Sequence, residues 1–104
     1  MEIIRGTTPS ITVILEDGVK FSEFTKVVLR IKQGTFSIDK EPFYTEDNTG
    51  IFKYTEEETL KLYEGSAYIQ LIGIKGTNEE TVNKTAVYPI NILKSLWNEA
   101  VKDE

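Results

Sequence analysis

Two groupings of acidic residues are the parts of this sequence whose types could do chemistry. One is the run Glu56-Glu57-Glu58; the other is Asp39, Glu41, Glu46 and Asp47 with Asn48. Carboxylates move protons or hold divalent cations when their oxygens converge. Consecutive helical residues point in different directions, so the first run cannot gather on one ion. Its three charges suit the positive end of a helix dipole instead. The second group offers hard oxygen donors around a turn, without the alternating acid spacing of an EF-hand loop. An ordinary polar turn explains it better. The remaining repertoire is narrow, because the 104 residues include no histidine and no cysteine. That closes serine–histidine, cysteine–histidine and most zinc or iron chemistry to the chain alone. Gly73-Ile74-Lys75-Gly76 lacks the spacing and helix context of a phosphate loop. We expect no catalytic residue, metal or cofactor, and hence no enzyme.

Binding is the chemistry left to consider. Tyr44, Tyr54, Tyr63, Tyr68, Tyr88 and Trp97 could stack on sugar rings. Tyr54, Tyr68 and Tyr88 fall within strands, where packing in the core or between strands accounts for them. Tyr44 and Tyr63 adjoin loops and are the candidate ligand contacts. Leu93, Leu96, Trp97, Ala100 and Val101 recur at helical spacing near the C-terminus. An amphipathic helix over 91–102 must bury that stripe, either on its own domain or on a neighbour. Leu93, Leu96, Trp97 and Val101 are therefore the candidate partner-binding residues.

The elements that position these groups are mostly strands. A short entry at Ile3-Ile4 is separated from the alternating Ser10 to Glu16 by Pro9. Ile11, Val13 and Leu15 share one face there. Asp17-Gly18 signals a tight turn, and Phe21 to Thr25 is too irregular for a simple hairpin return. Lys26 to Gln33 and Phe36 to Lys40 alternate on either side of Gly34-Thr35, and Pro42 stops the second strand. Phe43-Tyr44 is a short continuation, Glu46 to Gly50 a polar loop, and Ile51 to Tyr54 a further strand.

Thr55 is placed to cap a helix, with Glu58 completing a capping box and Gly65 supplying a left-handed stop. Ser66 to Ile74 is apolar on both faces, which predicts a central strand covered on both sides. Gly76 to Glu80 is a polar hairpin loop, and Thr81 to Ile92 returns as a strand. Pro89 marks an edge or a bulge within it. About seven short strands, one crossover helix and a terminal helix predict an all-β fold: one antiparallel immunoglobulin-like sandwich over residues 1–104. A flattened barrel is the alternative.

Composition sets outer bounds. A hydrophobic content of 39% with 28% charged residues is that of a folded domain, not a disordered one. The net charge of −5, with lysines scattered singly, argues against nucleic acid as a partner. No run of ~18 apolar residues predicts a membrane span, and the first residues lack the charge and apolar order of a signal peptide. A cytoplasmic site of synthesis is the expectation.

Three segments carry a resemblance: Ile3-Ile4-Arg5-Gly6-Thr7-Thr8-Pro9, Thr55 to Gly65 ahead of Tyr68-Ile69-Gln70-Leu71, and Val87-Tyr88-Pro89-Ile90-Asn91-Ile92. Together they resemble small β-rich structural proteins of phages and prophages of Firmicutes. The N-terminal modules of phage baseplate upper proteins look similar, with an arginine–glycine opening and a T-x-E-E-T crossover that ends in glycine. Thr7 stands where their usual pattern has aspartate, and the C-terminal helix lies beyond that module. The resemblance implies a non-enzymatic structural or adaptor protein in a virion, assembled in the host cytoplasm. Its implied partners are proteins, either a second copy of itself or other phage structural proteins, with no membrane involved. A carbohydrate- or surface-binding sandwich module is the alternative function.

Overall fold

The structure is a computed structural model that describes residues 1–76, 81–84 and 87–94, the stretch 81–84 by main chain only. The chain is mainly β, with two sheets. The larger contains β1 (Glu2–Ile4), β3 (Lys26–Gln33), β4 (Phe36–Lys40), β7 (Gly65–Lys75), β8 (Thr81–Lys84) and β9 (Tyr88–Leu93). Its order is β1-β9-β7-β3-β4, with β8 also on β7. The smaller has the order β2-β6-β5, from β2 (Ser10–Ile14), β6 (Thr49–Lys53) and β5 (Tyr44–Glu46).

The alternation read from the sequence sets which side chains turn inward. Val27, Leu29 and Ile31 of β3 and Ala67, Ile69 and Leu71 of β7 are buried. Ile11 and Phe52 of the smaller sheet, with Tyr54 just beyond β6, join them in one hydrophobic cluster. The Tyr54 hydroxyl donates to the Leu29 carbonyl at 2.8 Å, tying the smaller sheet to the middle of β3. A buried hydroxyl needs such an acceptor, since leaving it unpaired would cost about 1–3 kcal/mol.

A plug of two phenylalanines closes one end of this core. Phe21–Glu23 forms a 3-10 turn after the tight turn at Asp17 and Gly18, both with positive φ. The Phe21 ring lies over Gly50 of β6, and the Phe24 ring over Gly73 of β7. A Cβ on Gly50 would stand 2.7 Å from Phe21 Cζ, and one on Gly73 2.6 Å from Phe24 Cδ1. Glycine within a strand commonly marks such a close approach. Main-chain bonds from Phe21 N to Asp47 O and from Thr25 N to Ile74 O fix the plug at both ends, each 2.8 Å.

Several expectations are corrected. β1 runs parallel to β9, pairing Ile3 with Ile92, so the larger sheet is mixed rather than antiparallel. The polar stretch from Glu46 to Gly50 is mostly strand: Glu46 pairs with Thr49, so the turn between β5 and β6 is only Asp47-Asn48. Helix α1 (Glu56–Leu60) ends at Lys61, and Gly65, with φ +133°, opens β7 instead of stopping the helix. The strand expected over Thr81 to Ile92 is divided: from Ile72↔Lys84 to Ile69↔Tyr88, β7 advances three residues and its partner four. Asn91–Leu93 extend β9, so the terminal helix cannot begin at Asn91. β7 is central as expected, but its outer face is covered only in part, since Tyr68 is exposed.

Candidate functional site

Three of the acidic candidates, Asp39, Glu46 and Glu58, are engaged in local structure. Glu58 closes the capping box around α1: its carboxylate accepts from Thr55 N at 2.8 Å, while Glu58 N donates to Thr55 Oγ1 at 3.2 Å. Lys40 Nζ lies 3.1 Å from the same carboxylate. Burial works against the Glu58 charge, but the Thr55 N–H and the Lys40 ammonium outweigh it and lower its pKa. Asp39 sits opposite Arg30 on the β3–β4 ladder and takes a forked pair of bonds from it, at 2.7 and 2.9 Å. Those bonds hold its carboxyl below the usual range. Asn48 donates to the Leu15 carbonyl, and Glu46 accepts from the Tyr44 hydroxyl. Asp39, Glu46 and Asn48, three of the calcium-type donors, thus make separate contacts. Among the described residues, no three of Asp, Glu, His or Cys are grouped to hold a metal ion.

The three segments of the resemblance meet in space. The opening strand β1 pairs with the closing strand β9. Arg5 Nε donates to the Leu62 carbonyl at 2.6 Å and Arg5 Nη2 to Leu60 at 3.1 Å. A guanidinium at the last carbonyls of α1 meets both their hydrogen-bonding need and the helix dipole. Thr59, fully buried, donates to the Thr7 carbonyl at 2.8 Å. Gln33 then locks the return into β7: its amide donates to the Tyr63 carbonyl at 2.7 Å, and its oxygen accepts from Tyr63 N at 2.9 Å. These contacts hold the crossover against the larger sheet.

The aromatic candidates separate clearly. Tyr54 is core. Tyr44 is 51% exposed on β5 and Tyr63 59% exposed beside Gly34 at the β3–β4 turn. Tyr68 and Tyr88, assigned to packing from the sequence, are 50% and 58% exposed. Alternation in β7 and β9 gave the faces of these two rings but not whether anything covers them. Phe43 is a further exposed ring, with Lys53 Nζ 4.0 Å from its centroid. Phe43 and Tyr44 therefore form an aromatic margin of the smaller sheet, to which Thr12↔Ile51↔Tyr44 is a cross-strand row. Of the partner-binding candidates, Leu93 lies half-buried in β9 opposite Ile4. Leu96, Trp97 and Val101 lie outside the described residues.

One feature had no signal in the sequence. A cleft of about 620 Å³ opens between the sheets where β2 faces β9. Ile11, Val13, Leu29, Ile69 and Leu71 line it, with Tyr88 at its margin. Among the described lining residues Glu16 has the one charged side chain. A second hollow of about 490 Å³ lies beside the phenylalanine plug and is lined by Lys26, Glu41 and Asp47 among others.

No family model matches the chain, and no curated protein matches it either. Among the described residues no helix is long and apolar enough to cross a membrane.

Proposed function

We propose that this protein is a non-enzymatic structural or adaptor component of a phage or prophage particle, working through protein contacts. In this reading its two sheets form an immunoglobulin-like sandwich, one domain over residues 1–104, assembled in the host cytoplasm and carried in the virion. The observation that carries the proposal is the outward placement of apolar side chains beside open strand edges. Ile14, Phe43, Tyr44 and Tyr88 are all exposed, on or next to β2, β5 and β9. Strand edges and apolar margins of this kind recruit other chains. The absence of histidine and cysteine from the sequence also favours contact over catalysis. Leu93, Leu96, Trp97 and Val101 would form a second contact surface.

The test is binding to the products of neighbouring genes. Purified chain should co-sediment with at least one structural protein encoded beside it. A chain that binds none of them would end the proposal.

A carbohydrate- or surface-binding module is the second reading, favoured by the exposed rings of Phe43 and Tyr44 next to Lys53 and Glu46. Glycan-array binding that Tyr44→Ala abolishes, with Tyr63→Ala as a separate arm, would support it. A blank array removes it.

A further inference from the structure

We infer that β2 pairs with β2 of a second copy of this chain, in an antiparallel ladder centred on Thr12. The inference deepens the proposed adaptor role and rests on it only in that both work by protein contact. Among the described residues β2 is an edge strand of the smaller sheet. Leu15 N bonds to Asn48 O and Tyr54 N to Pro9 O, in register with the β2–β6 ladder. By alternation, odd-numbered residues of β2 turn their main-chain groups to β6. Ser10, Thr12 and Ile14 therefore present theirs to the side on which no described residue pairs with them, beside the cleft.

Monomeric proteins guard such edges with charge. β1 carries Glu2, β4 Asp39 and Lys40, β5 Glu46 and β8 Lys84, whereas Ser10-Ile11-Thr12-Val13-Ile14 carries none. Among the described strands that pair on one side only, β1, β2, β4, β5 and β8, β2 alone carries no charge.

Charge and pattern favour a second copy as the occupant. Centred on Thr12, the ladder sets Ser10 opposite the second copy's Ile14, and Ile11 opposite its Val13. Each inward residue then meets an inward residue, so the side-chain alternation agrees in both copies. Glu16 and Asp17 of the two copies fall at opposite ends of the pair. Two chains of net charge −5 could thus meet without acid facing acid. The joined sheet would extend over both clefts and cover Val13.

Sedimentation velocity over a concentration series tests this on the full chain. We expect a concentration-dependent dimer. Thr12→Lys should abolish it while leaving the circular dichroism spectrum unchanged, and the melting curve unchanged at concentrations where the native chain is monomeric, because the Thr12 side chain is exposed. Ser37→Glu, on the β4 edge, should leave the dimer intact. Thr12→Cys, the sole cysteine in this chain, should be captured as a covalent dimer by a short thiol-reactive cross-linker, since facing Cα atoms lie ~5.5 Å apart in such a pair. A chain that stays monomeric throughout, or a Thr12→Lys variant that still dimerises, overturns the inference. A monomer that still binds a neighbouring gene product would refute β2 pairing alone. A dimer that binds none would refute the adaptor reading alone.

Discussion

Replacing Gly73 by alanine should change sign with its background. In the native chain the new methyl group would stand 2.6 Å from the Phe24 ring, closer than any real contact allows. The ring must move, and overpacking of this kind costs about 1–3 kcal/mol. Gly73 does not have a positive φ, so alanine suits its backbone. Stiffening the unfolded chain then returns about 0.4–1 kcal/mol. The net loss is roughly 1–2 kcal/mol, or about 0.5–1 M in the urea midpoint at a slope typical of small domains. Once Phe24→Ala has removed the ring, only the gain is left, and Gly73→Ala should stabilise the variant. The coupling across the cycle is about 1–3 kcal/mol, in the range found for residues in contact. Urea unfolding of the four proteins by circular dichroism measures it. If Gly73→Ala had the same effect in both backgrounds, the plug would not be packed as described and the reasoning would fail.

Other expectations follow from single contacts. Tyr54→Phe should cost about 1 kcal/mol by loss of the hydroxyl bond to Leu29, and Tyr54→Ala about 3–5 by leaving a cavity; equal losses would contradict the tie between sheets. Gln33→Leu should cost about 1–3 kcal/mol, because it strands the Tyr63 main-chain groups, and a chemical denaturation series would read it. Both Asp39 and Glu58 have lowered pKa values in the fold. Their stabilisation is full above the ordinary carboxylate range and is lost as pH falls through the folded values. Stability should therefore decline below pH ~4, and less steeply in Asp39→Asn and Glu58→Gln. A pH profile identical in the native chain and both variants would refute the assignment. The Asp39 effect should be the smaller share, since that pair is solvent-screened.

What could be read from the sequence follows from what local pattern encodes. β3, β4 and the inner face of β7 were legible because alternation over many residues leaves one register that buries Val27, Leu29, Ile31, Ile69 and Leu71 together. The start of α1 was legible because Thr55 and Glu58 cap within a single turn. The phenylalanine plug was not: Phe21 and Phe24 are explained by Gly50 and Gly73, and no local pattern joins them. The β5–β6 hairpin was hidden by its exposure, since Glu46, Asp47 and Asn48 have the composition of a loop. The parallel pairing of β1 with β9 joins the two ends of the described chain, the kind of non-local contact that periodicity does not report. Of the candidate site, Tyr44 and Tyr63 could be placed near the surface by their adjoining turns. Tyr68, Tyr88 and the cleft beside β2 depend on what covers a face, which is a property of the assembled sheets.

The proposed role is that of a building part of a phage particle. Quantitative mass spectrometry of particles induced from the encoding strain and purified by density tests it most directly. The account predicts the chain in those particles at several copies each, in fixed ratio to their other structural proteins. Particles that lack it, with all of the chain left free in the cell extract, would contradict the account.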